Sequence, residues 1–281
     1  MRIAIWPNRP DRRLQGFDFS MSNAERIYVI GDIHGQFAKL AGLLRNAELV
    51  DDRLSWTGGA TNLWFMGDFF DRGPDGIAAV DLVMRLQQEA QVAGGRVESL
   101  LGNHEVLILA AQRFGEQTSG GQGGTFLASW KYNGGQDADL AKLTTRHIEW
   151  VTSLPAMAHV GEWLFVHADA TFYTSYGSSV ESVNQAFKAI LQSNNAVAFD
   201  QILDAFAARR EFEDKHADGT ERAVQFLRTF GGQRLIHGHT PIRDTQPVNA
   251  PRIYANGLCT NVDGGMYTGN PGFLYELPQE L

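Results

Sequence analysis

The sequence predicts an α/β fold, and the prediction depends on three apolar runs within the first 105 residues. These runs are IYVI at 27–30, LWFM at 63–66 and VESLL at 97–101. Each is short and ends in glycine followed by polar residues, which is typical of a strand buried on both faces. Helical periodicity follows, with apolar residues on one face over 37–44 and 77–86. Strand–loop–helix units repeated in this way indicate a parallel sheet.

Polar segments follow five of the predicted strands. They are GDIHG at 31–35, GDFFDRG at 67–73, GNHE at 102–105, HAD at 167–169 and HGHT at 237–240. Functional groups of such sheets lie at the carboxyl ends of the strands. We therefore expect these segments to meet at one edge of the structure and to carry the chemistry of the protein.

Composition and charge exclude several classes of function. The chain has 281 residues, 43% of them hydrophobic, and a net charge of -8, so sequence-independent binding to nucleic acid is not expected. No apolar run reaches the roughly 18 residues of a membrane span, and the first 20 residues lack the apolar core of a secretory signal. A single cysteine, Cys259, fits a reducing compartment, so we expect a cytoplasmic protein. No partner protein is identifiable from the sequence.

The chain is predicted to form one catalytic domain over 26–281 after an N-terminal extension, 1–25. Within the domain, a helical pattern over about 178–230 predicts a cap inserted beside the site. The glycine-rich segment 115–124 has neither a preceding strand nor a Gly-Lys-Ser/Thr sequence, so we interpret it as a flexible surface loop rather than a phosphate cradle.

Six candidate metal ligands stand at the predicted strand ends: Asp32, His34, Asp68, Asn103, His167 and His239. Carboxylate, imidazole and amide donors suit divalent manganese, iron or zinc, and we expect manganese first. Six donors exceed the need of one tetrahedral ion but suit two ions that share a carboxylate, for which Asp68 on the middle strand is the natural bridge. Two such ions activate a bridging water and clamp an in-line displacement at phosphorus.

The residues beside these donors suit phosphoryl transfer. Arg72 presents a planar guanidinium that matches two phosphoryl oxygens. His104, next to Asn103, is placed to protonate a leaving alkoxide. Asp71 is expected to hold one nitrogen of His104 and to favour the cationic imidazole.

These motifs resemble those of the phosphoprotein phosphatase family within the calcineurin-like metallophosphoesterase superfamily. The segments at 167–169 and 238–241 resemble its bacterial branch, which includes protein phosphatases and symmetrical dinucleoside tetraphosphatases. The resemblance covers about 27–275. It implies a four-layer sandwich, with two mixed β-sheets packed face to face and flanked by helices.

The resemblance also implies roles for individual residues. The metal positions of the family fall on the six donors named above, and a hydroxide that bridges the metals attacks phosphorus. The general acid falls on His104 with Asp71 behind it, and phosphate is bound by Arg72, Asn103 and His104. The family has a second phosphate-binding arginine between the fourth and fifth motifs, and no motif selects among four candidates here: Arg209, Arg210, Arg222 and Arg228.

The predicted function is therefore a two-metal phosphomonoester hydrolase, with phosphoserine and phosphothreonine of proteins as first substrates. The alternatives are a dinucleoside polyphosphate hydrolase of the same fold and a catalytically silent metal-binding scaffold. Among the other histidines, His237 is predicted to lie behind the ligands, His159 to be structural, and His147 and His216 to be on the surface. Cys259 is predicted to be a buried apolar residue.

Overall fold

Two β-sheets pack face to face and are covered by helices on their outer faces, which confirms the predicted sandwich. The computed structural model describes residues 26–213, 218–243 and 248–278. The predicted extension, 1–25, lies outside the described residues. No helix in the described ranges is both long enough and apolar enough to cross a membrane.

The first sheet has four strands in the order β3–β2–β1–β9. Strands β1 (Ile27–Ile30), β2 (Asn62–Phe65) and β3 (Arg96–Ser99) run parallel to one another. Strand β9 (Leu274–Glu276) joins β1 in the antiparallel direction. The three apolar runs at the start of the chain are thus neighbouring parallel strands, as the sequence predicts.

The second sheet has five strands in the order β4–β5–β6–β8–β7. Strands β5 (Trp163–Val166), β6 (Arg234–His237) and β8 (Cys259–Asn261) are parallel. Strands β4 (Met157–Val160) and β7 (Arg252–Tyr254) are the antiparallel edges. The carboxyl ends of β5 and β6 carry the two histidine motifs.

Nine α-helices fall within the described ranges: α1 (Phe37–Asn46), α2 (Gly76–Val92), α3 (Asn103–Phe114), α4 (Phe126–Tyr132), α5 (Asp137–Lys142), α6 (Thr145–Ser153), α7 (Val180–Gln192), α8 (Ala196–Ala205) and α9 (Gly219–Phe230). The predicted periodicities at 37–44 and 77–86 correspond to α1 and α2. The segment interpreted as a cap contains α7, α8 and α9.

Alternation along the strands divides the core into two parts. Val29 and Trp64 point between the sheets and pack with apolar residues of the second sheet such as Phe165. Their neighbours Ile30 and Phe65 point outward and pack in the larger cluster that includes the helices. Because both faces of these strands are apolar, the sheets are fixed in register, and so are the loops at their carboxyl ends.

Candidate active site

The loops after β1, β2 and β3 are joined to one another by buried hydrogen bonds. The backbone N–H groups of Ile33 and His34 donate to the carbonyl of Asp68 at 3.0 and 2.8 Å. The Glu105 carboxylate accepts from the N–H groups of Asp68 and Gly102 at 2.8 and 2.9 Å. Burial raises the pKa of Glu105 to about 7. These bonds make the three strand-end segments one rigid unit.

The backbone is strained at several residues of the predicted site. Five non-glycine residues of the predicted site have positive φ angles between 46° and 69°: His34, Asp68, Asp71, Arg72 and His239. L-residues adopt this conformation at an energetic cost, and such costs are concentrated at functional sites. The hydrogen bonds between the loops hold the strained residues in place.

A first donor group forms around Asp32, His34 and Asp68, all of which are buried. The Nε2 atom of His34 lies 3.8 Å from Oδ2 of Asp32 and 3.7 Å from Oδ2 of Asp68. Both oxygens of Asp32 accept from the backbone N–H of His239, at 3.0 and 3.1 Å. This bond links the first sheet to the second across the site.

A second donor group forms around the same Asp68 oxygen. His167 Nε2 lies 3.4 Å from Oδ2 of Asp68 and 3.1 Å from Oδ1 of Asn103. His239 Nδ1 lies 2.9 Å from Oδ1 of Asn103 and 3.2 Å from Nε2 of His167. The structure thus brings all six predicted ligands together, with Asp68 Oδ2 in both groups.

Backbone contacts set the direction in which two of the histidines face. His34 Nδ1 donates to the carbonyl of Phe70 at 3.0 Å, and His167 Nδ1 contacts the carbonyl of Met66 at 2.7 Å. The Nε2 atoms of both rings therefore point at the carboxylates. A hydrogen bond from the ring nitrogen that does not bind the metal orients a metal-binding imidazole in this way. The donor set and its orientation fit a pair of divalent ions.

Burial and mutual charge shift the ionisation of this cluster. Burial opposes ionisation of Asp68, but the charges of His167 and His104 outweigh it and hold the pKa of Asp68 well below its usual range. Burial likewise opposes the charged form of His167, yet Asp68 raises the pKa of that imidazole to about 10. Burial, together with the nearby carboxylates of Asp263 and Asp68, raises the pKa of Asp32. The cluster therefore contains a charged pair at its centre and a further carboxylate that resists ionisation.

Arg72 and His104 lie together at the edge of the first donor group. The Arg72 guanidinium contacts Nε2 of His34 at 2.7 Å and Nε2 of His104 at 3.1 Å. The Tyr267 ring stacks on the guanidinium, whose central carbon lies 4.2 Å from the ring centroid. A cation held over an aromatic face in this way loses little side-chain freedom when it binds an anion.

Asp71 holds His104 from behind, as the sequence predicts. His104 Nδ1 lies 2.6 Å from Oδ2 of Asp71, and Trp130 Nε1 donates to the other oxygen at 2.7 Å. The sequence argument expected a cationic imidazole, and the structure does not support this. Burial lowers the pKa of His104 to about 3. The reason is that the ring is enclosed beside Arg72, and burial also raises the pKa of Asp71.

Among the four candidate arginines, Arg209 is the one that lies at the site. It lines the same cleft as Asn103, and its charge contributes to the lowered pKa of His104 and of His239 after the larger effect of burial. Arg210 instead pairs with Glu213, and Arg222 pairs with Asp218.

The backbone beside Arg209 is attached to the loop after β5. The N–H of Arg210 donates to a carboxylate oxygen of Asp169 at 2.9 Å, and the N–H of Glu211 donates to the Asp169 carbonyl at 3.1 Å. Thr171 donates in turn to the Glu211 carboxylate through its N–H and its hydroxyl. The segment that carries Arg209 is therefore fixed next to His167.

A cleft of about 530 Å³ opens beside the second donor group. Its lining includes Asn103, Gly120, Asp200, Asp204, Phe206 and Arg209. Ser119 and the N–H of Gly120 both donate to Asp200 at 2.6 Å, which fastens the glycine-rich segment to α8. The segment forms one wall of the cleft and is anchored at this point.

Sequence reasoning missed several residues that shape the site. Glu105 joins the loops, Trp130 and Tyr267 hold Asp71 and Arg72, and Asp263 is a buried carboxylate near Asp32. Glu105 belongs to a quoted motif, so its position was visible in the sequence. The other three lie outside the motifs, and no spacing rule connects them to the ligands.

The remaining histidines have structural positions. His147 is buried and contacts Thr144 and Asp81, so its prediction as a surface residue is wrong; it caps α6 and packs against α2. His159 contacts the carbonyl of Phe230, and His237 contacts Tyr254 rather than the donor groups.

The two remaining predictions concern His216 and Cys259. His216 lies outside the described residues. Cys259 is buried, as the sequence predicts.

Comparison with known proteins gives a decisive match to one family. The model of the calcineurin-like phosphoesterases matches residues 25–243. The chain belongs to this family. Members use divalent metals, and two buried groups of the site could hold such an ion: His34, Asp68 and His104, and Asp68, His167 and His239.

Individual relatives show how far the similarity extends. The chain is 25% identical over 254 residues to Shewanella-like protein phosphatase 1 of Plasmodium berghei, covering 86% of this chain and 67% of that protein. It is 36% identical over 85 residues to the symmetrical bis(5'-nucleosyl)-tetraphosphatase of Bordetella pertussis, covering 30% of this chain and 26% of the relative. The chain thus spans between about a quarter and two thirds of the length of such relatives.

A solved structure supports the fold assignment. A cold-active protein tyrosine phosphatase superimposes with a TM-score of 0.68 and 21% identity, over 89% of this chain and 72% of that one. At this level of identity the likeness concerns the fold.

Proposed function

We propose that the protein is a two-metal phosphomonoesterase that removes phosphate from phosphorylated protein side chains. The observation that carries the proposal is the shared position of Asp68 Oδ2, within 3.7 Å of His34 on one side and 3.4 Å of His167 on the other. Asp32, His34 and Asp68 would hold one ion, and Asp68, Asn103, His167 and His239 the other. A pair of bound divalent ions supplies an activated water and charge neutralisation at phosphorus.

The two arginines bind and orient the phosphoryl group. Arg72 is stacked on Tyr267 beside the first donor group, and Arg209 lines the cleft beside the second. Charge-assisted hydrogen bonds from guanidinium groups are stronger than neutral ones and fix the geometry of an anion. The phosphoryl group would bind to the Arg72 guanidinium, which contacts Nε2 of His104 in the free protein.

His104 holds the proton that the leaving oxygen requires. Asp71 fixes Nδ1, so Nε2 is the atom that faces the substrate. An anionic phosphoryl group placed beside the ring favours the protonated imidazole and offsets the effect of burial. His104 therefore acts as general acid toward an alkyl or aryl leaving group.

The cleft favours a monoester over a polyphosphate. Besides Arg209, its lining carries the carboxylates of Asp200 and Asp204, and Asp204 is exposed. Additional phosphates of a long polyphosphate would meet these like charges, whereas a peptide side chain would not. The similarity to protein phosphatases over most of the chain supports the same choice.

Hydrolysis of a symmetrical dinucleoside tetraphosphate is the second candidate. It is favoured by the similarity to the tetraphosphatase of Bordetella pertussis, which covers about a third of the chain. That match is shorter than the match to the protein phosphatase.

An activity panel on manganese-reconstituted protein separates these functions. It compares phosphotyrosine and phosphoserine peptides, an aryl phosphate and diadenosine tetraphosphate by kcat/KM. We expect the peptides and the aryl phosphate to exceed the dinucleotide by at least tenfold. A tenfold preference for the dinucleotide would instead establish the second function. Absence of any turnover in protein that binds two ions would indicate a metal-binding scaffold.

A further inference from the structure

Lys39 joins helix α1 to the loop that follows β8. Its ammonium group donates to the carbonyl of Met266 at 2.6 Å and to the carbonyl of Asn270 at 2.7 Å. These partners lie 227 and 231 residues further along the chain. An ammonium group has three N–H donors, and hydrogen bonds from a charged donor are stronger than those from a neutral one. Lys39 therefore holds both ends of the segment 266–270 from a single point.

The segment held by Lys39 is a tight turn. Residues Met266–Thr268 form one 3₁₀ turn, and Gly265 and Gly269 flank it with positive φ angles of 61° and 101°. Thr268 Oγ1 donates to the carbonyl of Gly265 at 2.7 Å, and Asn270 Nδ2 donates to Thr268 Oγ1 at 3.1 Å. Because the turn is closed by these bonds, its position in the protein depends on contacts with other elements, such as those of Lys39.

The turn places the Tyr267 ring at the active site. The ring centroid lies 4.2 Å from the central carbon of the Arg72 guanidinium and 4.9 Å from the ring centroid of His34, with the two rings at 82°. The Tyr267 side chain is half-buried. Its neighbour Met266 supplies one of the two carbonyls that Lys39 binds. The bonds from Lys39 therefore fix the ring against which the guanidinium stacks.

The Arg72 side chain is supported at both of its ends. Its backbone is strained, with a φ of 65°, and its N–H donates to the carbonyl of Gly134 at 2.8 Å. A Cβ atom on Gly134 would lie 2.9 Å from Cγ of Arg72, so the main chain of Gly134 packs directly against the base of the side chain. Tyr267 packs against the other end. A long side chain that is held in place before binding loses less conformational freedom when it binds an anion.

We propose that Lys39 is a positioning residue for phosphate binding, which acts by holding Tyr267 against Arg72. Three contacts carry this inference: the two hydrogen bonds from Lys39 to the turn, and the stacking of the Tyr267 ring on the guanidinium. The inference rests on the phosphate-binding role that the proposed function gives to Arg72. It adds a residue of α1 that belongs to none of the motifs.

The test is calorimetric titration of manganese-reconstituted protein, freed of excess manganese, with inorganic phosphate. Lys39→Met keeps most of the length and the apolar stem of the side chain but removes its donors. Phosphate affinity is expected to fall by about 3- to 10-fold, less than the loss of a charged hydrogen bond would cause, because Arg72 remains. Two ions should be retained. For an aryl phosphate we expect KM to rise by the same factor and kcat to change less, since the phosphoryl group is bound before and during reaction.

A double-mutant cycle separates positioning from a general structural role. Tyr267→Ala removes the ring that Lys39 is proposed to place. In this background, Lys39→Met is expected to change phosphate affinity by less than about twofold, because residues that act through one contact are not additive. A lysine that only stabilises the fold would weaken binding by the same factor in both backgrounds.

Arg45→Met is the matched control. Arg45 lies on the same helix and also donates to a backbone carbonyl, that of Asp52 at 3.0 Å, but on the exposed surface. Its phosphate affinity is expected to match that of the wild type. Lys39→Arg keeps the charge and the donors and is expected to recover most of the affinity that Lys39→Met loses.

Equal losses in the two backgrounds, or wild-type phosphate affinity in Lys39→Met, would overturn the inference. If Lys39→Met does not fold, as judged by circular dichroism, Lys39→Gln takes its place in the cycle. The glutamine is shorter and uncharged, and the same results are expected of it.

Because the titration needs no turnover, failure of the phosphomonoesterase proposal is distinguishable from failure of this one. A protein that shows the expected cycle but hydrolyses only the dinucleotide contradicts the proposed function and leaves the role of Lys39 standing. An active phosphomonoesterase in which the two substitutions act additively contradicts only the role of Lys39.

Discussion

The donor cluster and the cleft beside it are built in contrasting ways. The donor cluster is buried, strained and linked through backbone bonds such as those from His34 and Gly35 to the loop after β2. The cleft is lined by side chains from α8 and from the glycine-rich segment, with exposed groups such as Asp204 and Arg209. The chemical centre is therefore fixed by the packing of the sheets, whereas substrate choice depends on more exposed segments.

This difference predicts how substitutions act. A change in the donor cluster removes a contact that several neighbours share, so its effect is large and independent of substrate. A change in the cleft affects one contact with the substrate, so its effect is smaller and depends on what is attached to the phosphorus.

Asp68→Asn is expected to have the largest effect because its Oδ2 belongs to both donor groups. We expect affinity for both ions to fall by at least about 100-fold, the upper end of the losses seen when outer contacts alone are removed. Elemental analysis after dialysis measures this. His34→Ala is the comparison and should empty mainly one position. Two full equivalents of metal retained by Asp68→Asn would contradict the shared role.

His104→Asn tests the general acid without removing a predicted ligand. We expect kcat to fall by about 10²–10⁴ while two ions are retained. The loss should be smaller for aryl phosphates, since their leaving groups need less protonation. Steady-state kinetics on an aryl and an alkyl phosphate, with metal content measured in parallel, provides the check. Equal losses on the two substrates would argue against proton donation by His104.

Arg209→Ala tests whether the catalytic machinery extends into the cleft. Loss of a hydrogen bond from a charged group costs about 1.5–3 kcal/mol, so kcat/KM should fall about 10- to 100-fold. Arg222→Ala is the matched control, because Arg222 pairs with Asp218 on the surface. Kinetics with an aryl phosphate compares the two. Similar activities of both variants would remove Arg209 from the phosphate site.

Asp200→Ala should separate the glycine-rich segment from α8 by removing the acceptor of Ser119 and Gly120. We expect kcat/KM for a phosphorylated protein to change severalfold while that for an aryl phosphate stays within about twofold, since a small substrate does not reach this wall. Parallel kinetics on both substrates measures the ratio. A parallel change for the two substrates would show that Asp200 acts on the donor cluster instead.

Asp139 lies outside the donor groups, so we expect its substitution to change stability rather than activity. Burial raises the pKa of Asp139 to about 6, above the ordinary value near 3.8. Folding therefore disfavours its ionised form. This destabilisation is absent below about pH 4, grows between pH 4 and 6, and is complete above pH 6.

The stability of Asp139→Asn relative to wild type should consequently increase from pH 4 to pH 6 and then level off. Urea unfolding at several pH values measures the difference. The exposed Asp52→Asn serves as control and should show no such trend. A difference that does not vary with pH would mean that Asp139 ionises normally in the folded protein.

Much of the donor cluster was predictable because each part of it is local in sequence. A strand that is apolar on both faces must end where polar residues begin, so Asp32, Asp68 and Asn103 could be placed at strand ends. The parallel arrangement then brings those ends to one edge. His167 and His239 follow β5 and β6 in the same manner, although the two sheets had to pack before these residues met the others.

The α/β class of the fold could also be predicted from the sequence pattern, whereas the sandwich of two sheets was implied only by the family resemblance. Alternation and periodicity predicted α1, α2 and the parallel strands, because these elements bury regular apolar faces. Helices α4 to α6 and strand β4 were not predicted, since they are short and lie between stronger patterns. The prediction of His147 as a surface residue failed for a related reason. Its neighbours in the sequence are polar, so the local pattern does not indicate that α6 packs on α2.

The sequence by itself determined the chemical class of the protein, because the donors follow directly from strands whose burial is visible in the apolar pattern. Only the tertiary structure selected Arg209 among four arginines, stacked Tyr267 on Arg72 and set Asp263 against Asp32. These contacts join segments up to about 230 residues apart, and nothing in a local pattern specifies which distant side chain fills a given space. Their positions follow from how the two sheets and helices α7 to α9 pack, which depends on contacts between distant parts of the chain.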